Sequence, residues 1–101
     1  MTVTNLNIEQ RYFQPVIDVI EERERQEEKF GEQTVAHPDA MTDMARMMVI
    51  QEQLHQAENV VQYIRLGRKG SGDTQLRDEL VRLAANALAF IECIDARLGG
   101  R

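Results

Sequence analysis

The sequence predicts an all-α fold: two long antiparallel helices with a first helix packed across them, completed into a bundle by an oligomeric partner. Two observations carry this. Apolar residues recur at spacings of three and four through most of the chain, with no strand-like alternation. Glycine and proline fall in a few clusters: Gly31 and Pro38 bracket one break, Gly67, Gly70 and Gly72 mark a second, and Gly99 and Gly100 end the chain. The 101 residues suit one domain, with a core from about 14 to 98, because two halves would each be too small to bury a core.

Helix one is predicted from about Pro15 to Phe30. Proline suits a first helical turn, where its missing N–H would have no partner anyway. Val16, Ile17, Val19 and Ile20 give an apolar start, and the almost wholly charged run EERERQEEKF follows. Ile8 to Phe13 reads as a short leading helix.

Helix two is predicted from about Asp39 to Leu66, with Thr42 or Asp39 as cap. It carries two stripes. Met47, Ile50, Leu54, Ala57, Val61 and Ile64 form one. Val49, Gln53, Gln56, Val60 and Tyr63 form the other, apolar at its ends and polar in its middle. A helix apolar on two sides packs on two sides, which a lone chain of this size does poorly, so a homodimer or homotetramer is expected.

Helix three is predicted from about Thr74 to Leu98, with Asp73 and Thr74 as candidate caps. Leu76, Leu80, Leu83, Ala84, Ala87, Leu88, Ile91 and Ile94 make a wide apolar face, and its alanines allow a neighbouring helix to approach closely. At a rise of about 1.5 Å per residue, helices two and three are rods of about 40 Å.

Composition excludes several function classes. Twelve basic against 17 acidic residues give a net charge of −5, which argues against broad duplex nucleic-acid binding. No apolar run reaches the roughly 18 residues of a membrane span. The opening MTVTNLNIEQ has neither the basic nor the apolar region of a secretory signal, so a cytoplasmic location is expected. The lone Cys93 excludes an internal disulfide framework and a cysteine-based zinc site, and reads as a small buried hydrophobe.

The chemically informative feature is polar chemistry inside apolar stripes. Glu52, Gln53 and Gln56 interrupt helix two. Asp78, Glu79, Arg82 and Asn86 stand one turn apart on helix three. A buried polar group without a partner costs about 1–3 kcal/mol, so facing clusters satisfy each other or bind something.

In these motifs the chain resembles the MazG-like all-α nucleoside triphosphate pyrophosphohydrolases, and among them the short phage-type members. Their first helix reads ER-x-RQ-x-x-KWG, often followed by HPD. Here the residues are Glu22, Arg23, Arg25, Gln26, Lys29, Phe30 and Gly31, then His37, Pro38 and Asp39. Their third helix reads roughly ELVQVAA; here Glu79, Leu80, Val81, Arg82, Leu83, Ala84 and Ala85 stand in those places. The likeness covers about Ile20 to Ile94. It implies a site between helices two and three, Mg²⁺ held by E-E-x-x-E and E-x-x-D carboxylates, and nucleotide contacts from positions matching Arg25, Lys29 and Phe30.

The departures fall on the metal motif. Its E-E-x-x-E slots hold Glu52, Gln53 and Gln56, and its E-x-x-D slots hold Glu79 and Arg82, so Glu52 and Glu79 are the metal ligands left. His55 replaces a glycine beside them. Magnesium prefers carboxylate oxygens in octahedral array. Arginine ligates no cation, yet a guanidinium pairs bidentately with phosphate. The sequence therefore predicts nucleotide binding by Lys29, Phe30, Gln53, Gln56, Arg82 and Asn86, with hydrolysis weakened or lost. Two other readings stand beside it. One is an active Mg²⁺-dependent pyrophosphohydrolase using Glu52 and Glu79, helped by Glu24, Glu27 or Glu28. The other is an oligomeric interaction module without a ligand.

Each residue also has a plainer role. Arg82 and Glu79, three apart, make an intrahelical ion pair. Glu52, Gln53 and Gln56 fix the register of an oligomer. His55 is a surface or interface residue, and His37 a turn residue. Arg65, Arg68 and Lys69 favour a helix C-terminus. Four of the five methionines fall in Met41 to Met48 and fill a core or interface.

Overall fold

The computed structural model describes residues 9–31, 41–67 and 72–99. Among them the ordered elements are helices and no strand occurs: α1 is Gln10–Phe30, α2 Asp43–Arg65 and α3 Gly72–Arg97. Ile8, the His37–Pro38–Asp39 motif, Arg68, Lys69 and Gly70 lie outside the described residues.

α1 begins earlier than expected. It runs unbroken from Gln10, so the separate leading helix is part of α1 and Pro15 lies inside it. Pro15 has no N–H for the Arg11 carbonyl, but that carbonyl lies one turn from an exposed end, where water can serve it. The Gln14 side-chain amide donates to Asp18 Oδ1 at 2.7 Å, spanning the proline. Gly31, at φ 57°, ends the helix in a conformation that favours glycine, its N–H bonding the Glu27 carbonyl.

α2 starts at its expected cap: Thr42 Oγ1 accepts from the Ala45 N–H at 3.1 Å. α3 begins at Gly72, so Asp73 and Thr74 fall within its first turn rather than before it. A Cβ on Gly72 would come 2.8 Å from Ile64 Cγ1, so glycine lets the start of α3 press against the end of α2.

α3 is the shared partner. α2 packs on it and α1 packs on it, whereas among the described residues α1 and α2 make no backbone contact. α1 therefore lies on α3 alone rather than across both long helices. Its inward side chains explain this: Arg23 bonds Glu92, and Asp18 pairs with Arg77 at 2.7 Å, both on α3. Between α2 and α3 the contacts include Asp43 with Arg97 at 3.0 Å, Arg46 over the Phe90 ring at 5.8 Å, and Gln53 with Glu79. Numbers rise along α2 as they fall along α3.

Among the described residues, the buried apolar side chains are small: Ala57, Val60, Ala85, Ala89 and Cys93. Among the described residues, the larger apolar side chains Leu54, Val61, Leu80, Ile91 and Leu98 are exposed. The radius of gyration is 15.5 Å, against about 13 Å for a compact domain of about 100 residues. Among the described residues, no helix is long and apolar enough to cross a membrane.

Candidate functional site: a polar layer across three helices

The apolar stripe of α2 is interrupted at Gln53, and that of α3 at Glu79, and the structure brings these two together. The Gln53 side-chain amide donates to Glu79 Oε2, and Arg82 donates through Nη1 to Glu79 Oε1 at 2.9 Å. Both carboxylate oxygens of a residue only 7% exposed are thus engaged by N–H donors. Gln53 is half-buried, and the Arg82 side chain is 46% exposed. Asn86, one turn beyond Arg82, is buried.

α1 extends the layer. Arg25 grips Glu22 bidentately, Nε to Oε1 at 2.9 Å and Nη2 to Oε2 at 2.6 Å. These bonds hold the Glu22 carboxyl below the usual carboxylate range against the opposing effect of its partial burial; the charges of Arg25 and Arg82 and a bond from Gln26 add to them. The field of Arg82 thus reaches α1, and the group Glu22, Arg25, Glu79 and Arg82 carries two charges of each sign. Glu22 and Arg25 stand apart from the expected ligand-binding positions of helices two and three. The available signal was their three-residue spacing on one helix face.

The other expected residues are dispersed. Glu52 and Gln56 are exposed on α2. Glu52 precedes Gln53 by one residue and so points about 100° away from it around the helix. Among the described residues, no group of three or more His, Cys, Asp or Glu side chains is arranged to hold a metal. The donor chemistry at Glu79 fits an amide and a guanidinium rather than octahedral Mg²⁺, which needs free carboxylate oxygens. Lys29 and Phe30 are exposed at the end of α1, where the Lys29 ammonium lies 5.3 Å from the Phe30 ring centre. They are about two turns beyond Glu22, or about 12 Å along the axis. The structure does not bring them to Gln53, Glu79 and Arg82.

A cleft of about 290 Å³ opens beside the layer between α1 and α3, lined by Asp18, Glu21, Glu22, Arg25, Arg77, Asp78 and Val81. Its acids outnumber its bases, and the Asp18–Arg77 and Glu22–Arg25 pairs occupy much of its charge. Hydrogen bonds from Gln14 and then Arg77 hold Asp18 below its usual value. Farther along α3, burial works against the charge of Arg23, but bonds to Glu92 and Glu27 outweigh it and raise the guanidinium pKa. The Arg23 side chain is 9% exposed, and its Nη1 has no hydrogen-bond partner among the described residues.

No family model matches the chain, and no match to a curated protein or to a solved structure reaches significance.

Proposed function

We propose that this chain is a nucleotide-binding protein on a MazG-like helical scaffold, with pyrophosphohydrolase activity weakened or lost, acting as a homo-oligomer. It would hold the phosphates of a nucleotide or nucleotide-derived signal through Arg82 without a divalent ion. The observation that carries the reading is the capture of Glu79. Its two oxygens take the Gln53 amide and Arg82, so the carboxylate orients a guanidinium instead of a cation. Arg82 remains half-exposed and lies in a group of balanced charge, so an anion meets little net repulsion there. A guanidinium neutralises phosphate but does not turn a bound water into hydroxide.

Calorimetric titration with nucleoside triphosphates in EDTA tests this. Binding is expected to persist without Mg²⁺, and Arg82→Met to weaken it at least roughly tenfold, about 1.4 kcal/mol. Binding that needs Mg²⁺, together with pyrophosphate release abolished by Glu52→Gln, would establish the active enzyme instead. A second reading, the interaction module without a ligand, draws support from the same bonds: each member of the Gln53–Glu79–Arg82 group has a partner within the chain. Absence of any thermal shift with nucleotides would favour it, since ligand at a hundredfold excess over Kd adds about 2.7 kcal/mol.

A further inference from the structure

Asn86 is only 9% exposed, yet its carboxamide makes no hydrogen bond among the described residues. The other buried polar side chains each have a partner there. Glu79 takes Gln53 and Arg82, Gln26 bonds Glu22, Arg23 bonds Glu92 and Glu27, and Arg46 bonds Asp43. An amide that leaves water without gaining a partner costs stability, and such groups are rare in folded chains. A leucine at this position would pack as well without that cost.

The surroundings explain why the chain does not answer this amide. Arg82 lies one turn before Asn86 on the same face of α3, but its guanidinium turns back to Glu79. The contacts Gln53–Glu79 and Arg46–Phe90 set the register of α2 on α3 and place Val49 level with Asn86. Val49 is three residues after Arg46 and four before Gln53, so it shares their face of α2. It is half-buried and has no polar side-chain atom. Ala89, the next residue of α3 on this face, is 1% exposed and equally apolar.

We propose that Asn86 reads the base of the bound nucleotide and sets its specificity, an inference that rests on the reading of Arg82 as the phosphate contact. A carboxamide presents a donor beside an acceptor. That pair is the complement of a nucleobase edge carrying an acceptor beside a donor, as adenine does with N7 and N6. Arg82 and Asn86 are about 6 Å apart along the helix axis, and the ribose of a mononucleotide separates phosphate from base by a comparable length. The half-exposed Arg82 stands at the solvent end of this pair and the buried Asn86 at the inner end. Val49 gives the face of the base an apolar surface. A buried group held ready for a hydrogen bond discriminates strongly, because a ligand that lacks the matching edge leaves it unpaired.

Calorimetric titration of the full chain in EDTA with the adenosine, guanosine, cytidine and uridine 5′-monophosphates, and with ribose 5-phosphate as the base-free probe, tests it. At least one nucleotide is expected to bind roughly tenfold or more tighter than ribose 5-phosphate. Asn86→Leu is expected to abolish that advantage and leave the affinity for ribose 5-phosphate unchanged, whereas Arg82→Met weakens both ligands alike. Nucleotides that bind no better than ribose 5-phosphate would overturn the inference and leave the role of Arg82 standing, as would a base preference that survives Asn86→Leu. Failure of all five probes to bind would remove the Arg82 reading and this inference with it. Should circular dichroism show that Asn86→Leu does not fold, nuclear magnetic resonance of the unaltered chain decides. The side-chain amide resonances of Asn86 are expected to shift with the preferred nucleotide and not with ribose 5-phosphate, and resonances indifferent to both overturn the proposal.

Discussion

Glu79 illustrates how a polar residue survives in an apolar stripe. Its carboxylate is buried, and the Gln53 amide and Arg82 guanidinium replace the water it has lost. Glu79→Ala is therefore expected to destabilise the chain by about 1–3 kcal/mol, because the buried part of the Gln53 amide is left without an acceptor. Thermal melts with and without Mg²⁺ check this, and equal losses in both are expected. Arg23 presents the opposite balance. It is buried between Glu92 and Glu27, yet its Nη1 has no partner among the described residues. Arg23→Met removes the orphaned donor together with the charge, while Glu92→Ala keeps the buried charge and removes a partner. Urea unfolding should show the glutamate variant to be the less stable of the two. The meeting of Gln53 with Glu79 was legible, because each interrupts an apolar stripe and so must face inward. Glu22 and Arg25 were not legible as part of that layer. In EERERQEEKF no apolar stripe separates an inward from an outward face, so only the fold tells which charges meet α3.

At the scale of elements, two signals of similar appearance had different outcomes. Thr42 marks the start of α2 because its hydroxyl has a specific task, accepting from the Ala45 N–H. Pro15 does not mark the start of α1, because proline only removes a donor, and residues before it can remain helical near an exposed end. Thr42→Ala is expected to cost about 1 kcal/mol. Pro15→Ala should stabilise the chain by about 1–3 kcal/mol by restoring the bond to the Arg11 carbonyl and relieving the ring clash. Chemical denaturation of both variants checks the two signs, and a neutral Pro15→Ala would mean that Gln10 to Gln14 contribute nothing to the cooperative unit. The placement of α1 was less legible than its existence. Nothing in its charged half distinguishes packing on α3 from packing across both long helices, and that choice comes from the pairs Asp18–Arg77 and Arg23–Glu92.

For the whole molecule, the charged ties between helices make stability depend on pH. Asp18 joins α1 to α3 through Arg77, and Asp43 joins α2 to α3 through Arg97. Arg97 first, and Arg46 after it, hold Asp43 below its usual value. Gln14 and Arg77 do so for Asp18, and Arg25 for Glu22. The folded chain therefore binds protons at these carboxylates less readily than the unfolded chain, whose Asp and Glu titrate near about 4. Their contribution is fully present above that value and is lost as pH falls through the depressed folded values. Melting temperature should accordingly stay nearly level from about pH 7 to 5 and drop below about pH 4, with added salt reducing the drop because the arginine of each pair is about half-exposed. A melting temperature that already falls between about pH 7 and 5 would show that these carboxylates do not set the acid limit of the fold.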